Sequence, residues 1–459
     1  MTTTSEQIFE PGLAKHPSQS GFAIMPSGET AFRVRNGMMR IAEKTLDVQY
    51  YEWESDKIGR IFINQLLEAA SRGVHVRLFN PFTHRGSIYW GFLTNMSRVN
   101  HRMHNKAFIM DKTFAVVGGR NIGDHYFGVS PDHNFRDLDL FTTGPVVQDI
   151  AKSFDFYWNS KWSHPVSAVT KNIPSDEEVA VIKQKFKDKV EEIEKDFPYV
   201  IDTTNEEIHP VFAEIKTKLV WAEAEVLYDD PDQKVGTLTG YQGIAPRLRE
   251  ILEQLKDEVL FEAAYFIPQK RGIRTAGRLR DRGVRVRVLT NSMATNNMAS
   301  AFVGYHHYRK NLLENGVDLY EMKLKTGTQR VFWSFLARDS VATLHSKITV
   351  FDRKKVFIGS FNLDPRSIEI NTEIGLLISS PELTRQVIEF MDTGIDSSNS
   401  YHLELKKNGA QDNGKVTWVS QDGLDEVRVQ RDPDTGFRRP VSAWFISLLH
   451  FLFPIEKHL

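Results

Sequence analysis

The sequence predicts an α/β fold built from two repeated lobes, each a mostly parallel or mixed sheet flanked by helices, with one active site at a pseudo-two-fold interface. Three observations predict it. A strand–helix–strand pattern occurs twice, as LDVQYYEW followed by LLEAASRGVHVRLFN and as VLFEAAYFIP followed by GRLRDRGVRVRVLTN. A His-x-Lys motif follows each copy, in MHNKAFIMD (103–111) and LHSKITVFD (344–352). The chain, at 459 residues with 41% apolar residues, is too long for one simple core at about 150 residues per domain.

Taken in order, residues 1–30 are polar and punctuated by proline, lack the apolar core of a secretory signal, and read as a loose tail. Residues 31–165 form the first lobe; in each lobe an Arg-Gly-Val turn ends a helix at glycine before the next strand. Residues 166–225 form a connector containing SDEEVAVIKQKFKDKVEEIEKDF, whose dense mixed charge predicts a solvated helix. The second lobe takes residues 226–400, with YDDP as its opening turn, and residues 401–459 form a small appendage ending in an apolar run. That run, 443–453, is well short of the roughly 20 residues that span a bilayer. Its aromatic and leucine side chains flanked by Arg438, Arg439, Lys457 and His458 suit a lipid interface, and suit docking on the protein's own lobe as well.

Net charge is −1, which removes the broad basic surface that sequence-independent nucleic-acid binding needs, so nucleic acid is disfavoured as a partner. Without cysteine there are no disulfides, no thiolate catalysis and no thiolate metal ligands, consistent with a reducing cytosol. No metal cluster emerges either, and neither a metal nor any other cofactor is expected: HRMH (101–104) has two histidines three apart, but the second belongs to the motif.

The two motifs share more than His-x-Lys. His104, Lys106, Asp111, Gly118, Gly119 and Asn121 in the first correspond in spacing to His345, Lys347, Asp352, Gly359, Ser360 and Asn362 in the second, with serine in place of the second glycine. In a strand, residues i and i+2 share a face, so His104 and Lys106 are expected to project together with Phe108. DKT and DRKK read as turns that return the chain, bringing Gly119 or Ser360 and Asn121 or Asn362 back beside the histidine. The asparagine amides would supply donors; Gly119 and Ser360 would serve either phosphate contact or tight packing. Asp111 and Asp352 lie at odd spacing from their histidines and should face away and brace the turns. Asp137 and Glu373 each lie eight residues before a proline, at matching points of the repeat, and are expected to orient the histidines. Two imidazoles, two ammonium groups and two amides facing each other make a phosphodiester site. One imidazole attacks phosphorus, the other protonates the leaving alkoxide, and the cations hold the non-bridging oxygens.

These residues resemble the phospholipase D superfamily, marked by two His-x-Lys-x4-Asp motifs meeting at one site. Within it, LDVQYYEW, RLFNPF, VVGGRNIGDHYF, AEVLYDDP, GYHHYRKNLLENGVDLYE, VFIGSFNLDPRS and LLHFLFPIEKHL are similar to the bacterial cardiolipin synthase C-type phosphatidyltransferases, from about residue 20 to the end. The resemblance implies transfer of a phosphatidyl group through a phosphohistidine, with phosphatidylglycerol and phosphatidylethanolamine as phospholipid substrates and cardiolipin as product. It implies His104 as nucleophile and His345 as acid, an assignment that the near-symmetric motifs leave reversible. It also implies a cytoplasmic protein peripherally associated with the inner membrane; no accessory protein is identified. Hydrolysis to phosphatidic acid, a superfamily nuclease and a non-catalytic lipid-binding protein are the alternatives. One departure stands out: Val74 to His104 is 30 residues, whereas Val284 to His345 is 61, so the first lobe lacks a segment that the second retains.

Overall fold

The computed structural model describes residues 4–73, 77–79, 102–169, 174–201, 209–232, 243–325, 340–406, 414–422 and 425–435. The RLFNPF stretch beyond residue 79, His101 and the apolar run at 443–453 lie outside the described residues.

Alternating or wholly apolar segments become strands. In the first half these are β1 (Ser20–Met25), β2 (Leu46–Gln49), β3 (Arg77–Phe79), β4 (Ala107–Met110), β5 (Phe114–Gly118), β6 (His133–Arg136), β7 (Asp139–Thr143) and β8 (Ser163–Pro165). In the second they are β9 (Val220–Tyr228), β10 (Glu258–Ala263), β11 (Arg285–Asn291), β12 (Asp318–Met322), β13 (Val341–Leu344), β14 (Lys347–Phe351), β15 (Lys355–Gly359), β16 (Ile374–Ser379), β17 (Ser400–Lys406), β18 (Lys415–Asp422) and β19 (Asp425–Val429).

The repeat is explicit in strand order: β1-β7-β5-β4-β2 in one lobe and β9-β16-β15-β14-β10 in the other. The two series join where β1 pairs antiparallel with β9, so a single hydrogen-bonded sheet runs through both lobes. The sheet is mixed, with its parallel part confined to β10, β11 and β12. In that place the first lobe has β3, which pairs with β8 and lies outside the main sheet, and this is the structural counterpart of the shortened segment.

Alternation along the central strands divides two cores. Phe108, Met110, Phe114 and Val116 face the first lobe's own helices. Ala107, Ile109, Ala115 and Val117 face Ile348, Val350, Val356 and Ile358 of the second lobe. A period-2 pattern that is apolar on both faces thus buries each sheet between helices and the opposite lobe. This inter-lobe apolar layer carries the site along its rim.

Several boundaries differ from the expectation. The segment read as a loose tail contains a helix, Thr4–Lys15, whose Phe9 is buried against Phe114 and Phe141, and β1 at the centre of the sheet. The polar start conceals the apolar SGFAIM alternation that makes this strand. In the connector, the helix Asp176–Glu194 opens with the capping box Ser175/Glu178 and is largely exposed, yet Val190 and Ile193 dock on the first lobe's core. Residues from 220 already belong to β9. The appendage continues the second lobe's sheet through β17, β18 and β19. It is clasped by Arg309, which lies 2.8 Å from Glu321 and 2.8 Å from Asp432 and stacks 4.8 Å from the Trp418 ring. The YHHYR stretch therefore splits: Tyr305 and Arg309 are buried in that clasp, and His306 and His307 face outward.

Candidate active site

Each motif histidine stands at the start of a hairpin whose turn is fixed by its aspartate. Asp111 and Lys112 take φ of 50° and 55°, and Asp352 and Arg353 take 49° and 53°, the left-handed pair at the centre of each tight hairpin turn. The Asp111 carboxylate accepts hydrogen bonds from the N–H groups of Glu43, Lys44 and Thr45 at 2.9, 2.7 and 2.8 Å. Asp352 accepts from Lys256, Asp257 and Glu258 at 3.0, 2.9 and 3.0 Å. Both aspartates thus tie their hairpin to the loop that enters the neighbouring strand, away from the histidine rings.

The histidines precede or only touch regular strand: β4 begins at Ala107 and β14 at Lys347. They are placed by pairing with the opposite lobe. Met103 bridges Thr372 in parallel, and His104 N donates to Thr372 O at 2.8 Å. In the second copy β13 pairs parallel with β6, and His345 N donates to Arg136 O at 2.8 Å. In both cases the acceptor is the residue immediately before the predicted orienting carboxylate.

That register sets the dyads across the interface. His104 Nδ1 donates to Glu373, 2.9 Å from Oε1 and 2.8 Å from Oε2, while His345 Nδ1 donates to Asp137 Oδ2 at 2.7 Å. Each lobe therefore supplies the carboxylate for the other lobe's histidine. With Nδ1 committed in both rings, Nε2 is the nitrogen left for chemistry. All four side chains are buried, as are Lys106 and Lys347. Lys106 Nζ donates to His104 O at 2.8 Å, and Lys347 Nζ donates to His345 O and lies 3.2 Å from His345 Nδ1.

Burial dominates the electrostatics. It lowers His104 to about 4, with Lys106 and Lys347 adding to the effect and Glu373 opposing it. His345 is pushed well below its usual range by burial and by the two lysines. Burial also lowers Lys106 to about 7 and Lys347 to about 8. Glu373 is held below the usual carboxylate range: His104 and Lys106 outweigh its burial, and Ser360 Oγ donates to it at 2.5 Å and Ser367 Oγ at 2.7 Å. Asp137 moves the other way, raised by burial; among the described residues Leu138 N, at 2.8 Å, and His345 donate to it. The histidines and lysines are thus all biased toward losing their protons, as expected of cationic groups assembled to receive an anion.

The four predicted binding residues divide by role. Gly119 and Ser360 serve the orienting carboxylates: a Cβ at Gly119 would lie 2.2 Å from Asp137 Oδ1, and Ser360 bonds Glu373. Asn121 Nδ2 already donates to Tyr126 Oη at 2.9 Å and Glu52 Oε2 at 3.4 Å. Asn362 is buried.

Other residues around the site were not anticipated. Tyr51, in the LDVQYYEW segment expected as a strand, is 46% exposed and sits edge-on to His104 with centroids 5.0 Å apart. Tyr126 is edge-on to His345 at 5.1 Å. Asp229, expected in a turn, is fully buried; its N donates to Glu373 O at 3.0 Å and its Oδ2 accepts from Glu373 N at 3.1 Å. Arg136 Nε donates to Glu262 Oε1 at 2.9 Å across the lobes, and Ser346 Oγ donates to the same oxygen at 2.5 Å. Ser346 lies inside the second motif and Arg136 next to Asp137, so position within the motifs was their only sequence signal.

A family model described as "Cardiolipin synthase, PLD-like domain" matches residues 37–158 and 248–393, the two lobes that carry the motifs. Cardiolipin synthase C of Escherichia coli K12 is 33% identical, covering 97% of this chain and 98% of its own. A cardiolipin synthase of Halalkalibacterium halodurans is 23% identical over 84% of this chain and 68% of its own. Among solved structures, phosphatidylserine synthase of Haemophilus influenzae Rd KW20 superposes with a TM-score of 0.59 at 11% identity, covering all of both chains, which shows a shared fold. The chain belongs to the cardiolipin synthase, PLD-like family, and is a phosphatidyltransferase of the phospholipase D superfamily.

Proposed function

We propose that this protein makes cardiolipin by moving a phosphatidyl group from a donor phospholipid to phosphatidylglycerol through a phosphohistidine on His104. The observation that carries the reading is the crossed pair of dyads, His104–Glu373 and His345–Asp137, each built from both lobes. His104 Nε2 attacks phosphorus, and the bond from phosphorus to the head-group oxygen breaks. His345 Nε2 gives its proton to that oxygen and the alcohol leaves. A hydroxyl of phosphatidylglycerol then returns a proton to His345 and attacks the same phosphorus, breaking the phosphorus–nitrogen bond and freeing His104. Lys106 and Lys347 hold the non-bridging oxygens as charge builds. Ionised Glu373, bound by two serine hydroxyls, supports the charge that develops on His104, which favours His104 over His345 as nucleophile.

The lipids would be met at a bilayer surface, with the apolar run 443–453 and its basic flanks as the contact. Among the described residues, no helix is long and apolar enough to cross a membrane.

The test is rapid quenching of the purified full-length protein with phosphorus-labelled phosphatidylglycerol. A base-stable, acid-labile label on His104, absent in His104→Ala, and accumulation of cardiolipin are expected. A label on His345, or phosphatidic acid as the only product, overturns the respective part.

A further inference from the structure

The two lobes repeat each other closely enough that side chains breaking the repeat can be picked out. Trp53 bridges Ile122 in the first lobe as Phe266 bridges Leu363 in the second, so Tyr51 stands where the second lobe has Ala264, and Glu52 where it has Tyr265. The first lobe alone places a carboxylate at this point of the site.

Glu52 is exposed and firmly held. Its carbonyl accepts from Ile122 N at 3.2 Å, and the Ile122 carbonyl accepts from Glu54 N at 2.8 Å. Glu52 Oε2 accepts from Tyr126 Oη at 2.8 Å and from Asn121 Nδ2 at 3.4 Å. Tyr126 is the ring edge-on to His345, and the adjacent Tyr51 is the ring edge-on to His104, with Lys106 Nζ 5.5 Å from its centroid. Glu52 therefore lies within one side chain of both reacting histidines. Its charge is felt at Lys106, where burial lowers the ammonium and Glu52 is among the groups opposing that.

A carboxylate beside a phosphodiester site repels the phosphate, so its use must come from the part of the substrate that is not the phosphate. Among the described residues both protein hydrogen bonds go to Oε2, which leaves Oε1 as an acceptor. A structural brace for Tyr126 and Asn121 needs only one oxygen and no charge.

We infer that Glu52 accepts a hydrogen bond from the head-group alcohol of the lipid, from a glycerol hydroxyl or an ethanolamine ammonium, beneath the Tyr51 ring, and so sets which alcohol leaves or enters. This deepens the phosphatidyl-transfer reading and rests on it. An ammonium would also find the face of Tyr51.

The experiment compares wild type with Glu52→Gln, full-length and matched by thermal melt, in detergent mixed micelles that all hold the same amount of unlabelled phosphatidylglycerol as acceptor and, as head-group-labelled donor, phosphatidylglycerol, phosphatidylethanolamine or phosphatidylmethanol, whose methyl head group has no hydrogen-bond donor. The readout is kcat/KM for each lipid relative to phosphatidylmethanol. For the head group that Glu52 holds, this ratio should fall by about tenfold in Glu52→Gln, the scale of a charge-assisted hydrogen bond. A fall confined to phosphatidylethanolamine identifies the ammonium, one confined to phosphatidylglycerol the hydroxyl, and a fall in both the shared chemistry. Equal losses on all three lipids, or unchanged ratios, overturn the inference. If wild type consumes none of the three, the phosphatidyl-transfer reading itself fails and takes this subsite with it.

Discussion

His104 and His345 each give Nδ1 to a carboxylate from the opposite lobe, and that single exchange settles tautomer, orientation and charge together. Because burial and then the lysines lower His104 to about 4, the unfolded chain binds a proton between its ordinary value of about 6.5 and 4 that the folded protein refuses. The contribution of His104 to stability is therefore full above that window and is lost as pH falls through it. A bound phosphodiester reverses the balance by favouring protonated imidazole and ammonium. Dimethyl phosphate, whose own charge is constant over this range, should bind more tightly as pH falls from 7.5 to 5.5, by up to about tenfold per pH unit for each proton taken up. Calorimetry in buffers of different ionisation enthalpy would measure the protons; a Kd independent of pH would contradict the charge assignment. At this scale the sequence exposed the histidines, lysines and carboxylates through their repeated spacing. It did not expose Tyr51, Tyr126 or Asp229, because an exposed ring, an edge contact and a buried clamp leave no periodic trace.

The hairpins β4–β5 and β14–β15 are the elements that present the chemistry, and their turns were legible as DKT and DRKK. What positions them is the aspartate at each turn, which satisfies three backbone N–H groups of the loop before β2 or β10. Asp111→Ala leaves those donors without their acceptor in a nearly buried place and should cost about 2–4 kcal/mol of unfolding free energy in urea titrations. An unchanged midpoint would show that the loop is held by something else. Asp352 is kept below the usual carboxylate range: desolvation raises it, and its three N–H donors together outweigh that. Its stabilisation is present above the unfolded value near 3.9 and is lost as pH falls below it. The strand expected to carry His104 and Lys106 on one face is shorter than its alternation implies. The residues before Ala107 pair with the other lobe, and local propensity carries no information about that partner.

For the whole molecule, the joint between lobes is an apolar layer crossed by buried polar ties, among them the two histidine–carboxylate pairs and the ion pair of Arg136 with Glu262. Arg136 also donates to Thr393 Oγ1 at 3.1 Å and to Phe390 O at 2.5 Å, and stacks 3.8 Å from the Phe390 ring. Removing one partner strands a charge in that layer, so Arg136→Met should cost about 3–5 kcal/mol, while Arg136→Met with Glu262→Leu should recover much of it. Urea denaturation of both variants measures this; additive losses in the double variant would mean the pair is not coupled. Activity should follow stability only in part, since Arg136 directly precedes Asp137 and carries the carbonyl that receives His345 N.

By itself the sequence determined the repeat, the two hairpins and the motif spacing, because each is written in short-range pattern: alternation, turn residues and fixed intervals. It also marked Asp137 and Glu373, through their matching place in the repeat. Only the tertiary structure decided that Glu373 serves His104 and Asp137 serves His345, that the N-terminal segment supplies the strand joining the lobes, and that the C-terminal strands extend the second sheet. Those outcomes depend on which surfaces meet when two apolar sheet faces are buried against each other, and a linear pattern states which residues are apolar without stating what they will face.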